Sequence, residues 1–223
     1  MFNPTALLDQ FLAGDSGQTL QKGKEYLSNN AGSLAGGAAL GGLGGYMLGS
    51  KKGRKVAKKA ATYGGVALLA GLAYKAYSNY KNPVQSAAQE RLPQRASFEI
   101  NSDAGGQSFS ATLISAMIAA AKADGQIDAS EQQAIFAKIE ELNIDNDDKA
   151  FLLDQLNQPM DIDRLVDAAS NKEQAVEIYV ASIMAINIDT QAEKAYLLML
   201  AARLGLEEAL VAEIHKTVEA ELS

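Results

Sequence analysis

The stretch AATYGGVALLAGLAY, residues 60–74, sets the plan of the whole chain. It carries no charge and stops at Lys75. As a helix it would run about 22 Å, short of the roughly 30 Å of a hydrocarbon core. Lys58, Lys59 and Lys75 stand where their stems would lengthen the apolar part by snorkelling, and Tyr74, Tyr77 and Tyr80 stand where an interfacial aromatic belt belongs. The stretch therefore reads as the second arm of a membrane hairpin, or as an interfacial helix beside a single span.

Immediately upstream, KKGRKVAKK at 51–59 holds six cations in nine positions. A nucleic-acid patch would interleave aromatics, whereas this run has none and is flanked by apolar stretches on both sides. Lys51, Lys52, Arg54, Lys55, Lys58 and Lys59 thus read as a cluster for anionic lipid headgroups, with no nucleic-acid partner.

Further upstream, Ala31–Ser50 is twenty residues without a charge, eight of them glycine. Its length permits a span. Gly37, Gly41, Gly45 and Gly49 recur at every fourth position, one row along a helix on which a second backbone can pack closely. In water, glycine costs about 1 kcal/mol per helical position relative to alanine, so a flexible linker is the competing reading. Leu34, Leu40, Leu43, Tyr46 and Met47, standing where a linker would carry serine and charge, favour a membrane helix that forms a homo-oligomer through the glycine row. Positive charge prefers the cytoplasmic face, so a hairpin leaves both termini outside and a single span leaves the C-terminal part inside; both orientations stay open.

Charge divides the 223 residues in two. Residues 1–95 hold 12 Lys and Arg against 4 Asp and Glu, and residues 96–223 hold 8 against 23, giving +8 and −15 and the total of −7. The absence of cysteine excludes disulfides, thiolate zinc clusters and thiol nucleophiles. MFNPTALLDQFLAG at the N-terminus lacks a basic n-region and an A-x-A-like cleavage site, so any membrane segment is expected to be retained.

Downstream, residues 82–107 carry prolines, a Gly pair and no helical periodicity, the signature of a tether. From residue 108 the pattern is helical to the end, with apolar faces at Leu113, Ile114, Met117 and Ile118, at Ile135, Phe136, Ile139 and Leu142, at Val176, Val180, Ile183 and Met184, and at Tyr196, Leu197, Leu200 and Leu204. Asp145 or Asn146, Asp161, Asn171 and Asp189 are expected N-caps, and Pro159 and Gly205 punctuate between helices. The chain thus divides into a short amphipathic segment (1–30), a glycine-zipper helix, basic turn and second apolar helix (31–81), a linker (82–107) and an acidic all-α domain of six or seven helices (108–223).

Within that domain, KADGQIDASE at 122–131 resembles the second half of an EF-hand loop. The first and third ligand positions are Ala120 and Lys122, so an ordinary EF-hand is rejected. Helix capping accounts for the rest: Asp128 as N-cap, Glu131 closing a capping box, Gly125 ending the preceding helix in a left-handed turn. Asp124, Asp128 and Glu131 also recur at i, i+4 and i+7. A faint duplication lays residues 119–144 over 182–206 and matches Asp128 with Asp189 and, one residue out of step, Glu131 with Glu193. Five carboxylates brought together would raise their pKa values or take a cation, and an all-oxygen set suits calcium, magnesium or manganese. Capping alone and capping plus a divalent ion both stand, and no cofactor follows with certainty.

The corner A-K-A-D-G-x-I-D-x-x-E, with a second acidic corner some sixty residues on, looks like the TerB-like helical domain of tellurite-resistance and related proteins. The order of Gly-rich segment, basic turn, second apolar segment, tether and this domain is similar to the YebE-type inner-membrane proteins of unknown function. The resemblance implies about seven helices, residence in a bacterial inner (cytoplasmic) membrane, no established enzymatic activity, and metal chelation carried over to Asp124, Asp128, Glu131, Asp189 and Glu193. Asn187 in the second corner departs from the acidic pattern.

His215, the single histidine, lies beside Val211, Ile214 and Val218, which reads as packing. Ser115 and Ser182 lie within helices without a nucleophile elbow, so no enzyme is expected. The function expected is a membrane-anchored, non-enzymatic module whose acidic domain binds a divalent metal or docks an unknown protein partner. The alternative is an oligomerising membrane scaffold driven by the glycine zipper, with no metal site.

Overall fold

The apolar run at 60–74 is cut in two by its glycine pair. Gly64, at φ +86°, ends helix α2 (Lys51–Tyr63) and precedes helix α3 (Gly65–Lys81). Gly65 is required for a different reason. A Cβ there would stand 2.9 Å from the Leu8 carbonyl oxygen and 2.9 Å from Leu12 Cδ1. Both atoms belong to helix α1 (Pro4–Ala13), which crosses the start of α3 and whose Asp9 Oδ1 accepts from Val66 N–H at 3.0 Å. One orphan donor of the α3 N-terminus, the Val66 N–H, is thus served from another helix.

A computed structural model of the chain describes residues 2–13, 51–82, 104–123, 125, 139, 144–186 and 188–222. The remaining helices are α4 (Ala104–Ala121), α5 (Asn146–Asn157), α6 (Ile162–Asp167), α7 (Lys172–Ala185), α8 (Gln191–Arg203) and α9 (Glu208–Leu222). The described residues are all-α, with no strand among them.

One hydrophobic core runs through both halves of the chain. α3 packs on α9, α7, α1 and α2, and its Leu68, Leu69, Leu72, Ala73 and Ala76 are fully buried. Each buried leucine stabilises the fold by about 1.5–3 kcal/mol relative to exposure. The second arm of the expected membrane hairpin is therefore a core helix, its apolar surface covered by protein. No described helix is long and apolar enough to cross a membrane. The first arm, with Gly37, Gly41, Gly45 and Gly49, lies outside the described residues. So does most of the tether, of which α4 takes the last four positions.

α7 is buried without interruption from Ala175 to its C-cap Ile186, as expected for a helix apolar on every side. Its main partner is α4, and both helices bury small residues, Ala116, Ala119 and Ala120 on α4 and Ala175, Ala181, Ser182 and Ala185 on α7. Ser182 Oγ reaches the Ala116 carbonyl at 3.4 Å and the Ile178 carbonyl at 3.0 Å, so a polar group sits in this seam satisfied.

The expected caps at Asp145, Asp161 and Asn171 form, each side chain accepting from the backbone N–H three residues on. Gly205, at φ +63°, turns the chain between α8 and α9. Asp145 is held below the usual carboxylate range, chiefly by the Asp148 N–H. Burial pushes Asp148 the other way, even though its Oδ1 accepts from Asn3 N–H at 3.3 Å. With the Phe2–Phe151 ring contact at 4.9 Å, that bond ties the start of the chain to α5.

Candidate functional site

The second acidic corner joins α7 to α8. Its cap is Thr190, one residue beyond the expected Asp189, because the threonine hydroxyl accepts from Glu193 N–H at 3.1 Å. Glu193 Oε2 in turn accepts from Asp189 N–H at 3.2 Å, Thr190 N–H at 2.9 Å and the Thr190 hydroxyl at 2.8 Å. Three protein donors occupy this one oxygen, and the residue is buried. Asp189 is exposed and meets Glu193 through its backbone. The corner is a capping box in which the carboxylate serves the helix end.

The first corner is described only at Lys122, Ala123 and Gly125; Asp124, Asp128 and Glu131 lie outside the described residues. Gly125 has φ +70° and donates to the Lys122 carbonyl at 3.0 Å, the left-handed helix end expected of it. Lys122 has a role that sequence reasoning missed. Its Nζ donates to the carbonyls of Leu156 at 2.9 Å, Gln155 at 3.4 Å and Gln158. A cation thus sits on the unpaired carbonyls and negative dipole end of α5. Burial lowers the Lys122 pKa. The sequence signal was no more than one lysine at the end of an apolar helix, with partners more than thirty residues away. Among the described residues, no three His, Cys, Asp or Glu side chains form a group able to hold a metal ion.

The cations at 51–59 are sorted by the fold. Val56 and Ala60 turn α2 inward, and Lys59, on that side, pairs with Glu221. Glu221 also takes Lys75 at 2.6 Å, so Lys59 and Lys75 meet a carboxylate in place of the lipid interface expected for them. Burial pushes the Glu221 carboxyl up, but the hydrogen bonds and charges of Lys59 and Lys75 outweigh it and hold the group below its ordinary value. Arg54, Lys55 and Lys58 face outward, with the exposed Tyr63 at the end of the same helix. Lys51 and Lys52 begin α2, and their side chains lie outside the described residues. Of the expected belt, Tyr80 donates to Glu207 at 2.6 Å, and Lys81 sits 5.5 Å from the Tyr77 ring centre.

His215 is bonded to the Tyr179 hydroxyl at 2.9 Å, with the rings edge to face. Burial pushes Tyr179 up to about 12, so the phenol keeps its proton. Ser115 Oγ lies 3.0 Å from the Ala111 carbonyl and 2.8 Å from Gln155 Oε1, two acceptors that share its one proton. Glu177 on α7 is the other group missed from sequence. It is 2% exposed, its Oε2 has no hydrogen-bond partner among the described residues, and burial pushes its carboxyl up to about 8.

The chain is 29% identical over 96 residues to an uncharacterised protein in the ampR 5′ region of Yersinia enterocolitica, an alignment covering 43% of this chain and 69% of that protein. No solved structure matches. The model of a family described as a protein of unknown function, DUF533, matches residues 33–218, most of α2 to α9 and the two acidic corners included. The chain belongs to that family, which takes in the YebE-like proteins.

Proposed function

We propose that this protein is a non-enzymatic helical module that rests on an anionic membrane surface through the outer face of α2. One observation carries the reading: Arg54, Lys55 and Lys58 are exposed on one helix while Lys59 of the same run is turned inward to Glu221. A run of cations on a solvated helix needs no explanation. A run sorted so that three point outward, directly after the uncharged stretch 31–50, makes a surface that suits anionic headgroups. A bacterial inner membrane is the setting this reading adopts, and the acidic bulk of the chain is what would remain in water to meet a protein partner. A divalent ion is left out, because the buried carboxylate of Glu193 serves as a cap.

The test is sedimentation of the full chain with vesicles of phosphatidylcholine alone and with phosphatidylglycerol added. Binding should require the anionic lipid and weaken with salt. The double variant Lys55→Glu/Lys58→Glu should lose about tenfold or more in affinity at unchanged melting temperature, since each basic residue near a charged surface contributes about 1 kcal/mol. Equal binding of parent and variant would sink the proposal.

A further inference from the structure

We infer that the outer face of α8 docks a second copy of this chain, the two helices packed antiparallel across a two-fold axis beside Leu198 and Met199. The inference stands apart from the membrane reading, because it uses none of the cations of α2. α8 turns Glu193, Tyr196, Leu197, Leu200 and Ala201 into the core. Its opposite face carries Ala195, Leu198, Met199 and Ala202, all exposed, at i, i+3, i+4 and i+7, the spacing of a helix-packing seam. Leu198 is 71% exposed and Met199 48%, the two most exposed large apolar side chains among the described residues. A single exposed leucine is ordinary surface. Here two such residues adjoin on a stretch without a charge from Ala195 to Ala202. The capping box of Thr190 and Glu193 holds the start of the helix, so the face is formed before anything docks on it.

The order of residues selects the occupant. KAYLLMLAAR, 194–203, reads alike in kind from either end: a cation, an alanine, and two further steps to Leu198 and Met199 in the middle. The one mismatch, Tyr196 with Ala201, is turned into the core and plays no part. A two-fold interface joins one patch to itself, so that if residue i meets residue j, j also meets i. Antiparallel pairing about the middle of the stretch sets Ala195 of each copy against Ala202 of the other, and Leu198 against Met199. The alanines admit close approach and the long side chains fill the centre. Parallel pairing would set Lys194 on Lys194 and Arg203 on Arg203. Antiparallel pairing brings the end that holds Lys194 and Asp189 to the end that holds Arg203, Asp163 and Glu208, all five exposed. Each end thus offers the other a charge of opposite sign.

The chain contains no cysteine, so single substitutions report cleanly. In the full chain, Leu198→Cys treated with a short bismaleimide should link to itself. Ala195→Cys and Ala202→Cys should link when the two proteins are mixed, at several-fold greater yield than either gives alone. Ala220→Cys, exposed on α9, should give no dimer. Leu198→Asp changes the face in both copies and should weaken association in sedimentation by about a hundredfold or more, at an unchanged melting temperature. Equal yields from the mixed and unmixed alanine-site proteins would overturn the antiparallel register, and so would a link through Ala220→Cys as strong as the one through Leu198→Cys. A parent chain that sediments as a monomer, with no link through Leu198→Cys, would overturn the second copy as occupant. Association that Leu198→Asp leaves intact would place the contact elsewhere and overturn it equally.

Discussion

Glu221 on the last helix accepts a hydrogen bond from Lys75 on α3 at 2.6 Å, across 146 residues of sequence, and its other oxygen takes Lys59 of α2. Three helices from opposite ends of the chain meet on one carboxylate. Substitution Glu221→Ala leaves two half-buried ammonium groups facing each other and should cost about 1–3 kcal/mol in chemical denaturation. Because the folded pKa is depressed, this contribution is present above the ordinary carboxylate value of 4.5 and is lost as pH falls through the folded one. The stability difference between parent and variant should therefore shrink in acid.

Glu177 works in the opposite sense. Its folded pKa of about 8 lies above the ordinary 4.5, so its favourable term is complete below pH 4.5 and is lost progressively up to about pH 8. At about 1.36 kcal/mol per unit, the burden at pH 7 is on the order of 3 kcal/mol. Glu177→Gln should raise the melting temperature at pH 8 and leave it nearly unchanged at pH 4. A parallel pH profile for the two proteins would show that the carboxyl is not held neutral in the core.

Gly65 is a packing glycine. In Gly65→Ala the new Cβ meets backbone of α1, which cannot swing aside as a side-chain tip can, and the loss should be about 1–3 kcal/mol. Gly125→Ala meets no atom of the described residues within 4 Å and suffers the left-handed backbone, at about 1 kcal/mol. Hydrogen exchange distinguishes them: the first change should loosen α1 amides, the second should not.

The capping box makes its own forecast. Thr190→Ala should cost about 1 kcal/mol, whereas Asp189→Asn, at an exposed side chain, should stay within about 0.5 kcal/mol. Lys122→Met removes a charged donor from the carbonyls of α5 and should cost about 1–2 kcal/mol. If Asp189 proves the more sensitive of the two corner residues, and only with calcium or manganese present, the acidic corner has a ligand after all.

Local rules were legible in the sequence. The caps at Asp145, Asp161 and Asn171 and the left-handed glycines at 125 and 205 follow from residue type alone, because the groups that satisfy one another lie within four residues. The placing of 60–74 was not legible. A short apolar run looks the same whether hydrocarbon or protein will surround it, and what decides here is α1, which reaches Gly65 from over fifty residues upstream. The partner of Lys59 was hidden likewise, 162 residues away. The cap of α8 slipped by one position because Asp and Thr, side by side, can both fill the role, and the reciprocal bonds with Glu193 select the threonine although aspartate is the commoner cap.

α7 has no side that faces water, and its walls come from both halves of the chain: α4 from one, α3 from the other. Each half is thus solvent for the other's apolar surface. A fragment begun at residue 104 keeps every acidic corner yet leaves the α3-facing flank of α7 bare, and it should collapse or aggregate when made alone. Two pieces, 1–82 and 104–223, should instead rebuild the helical core when produced together, as complementary parts of one severed protein.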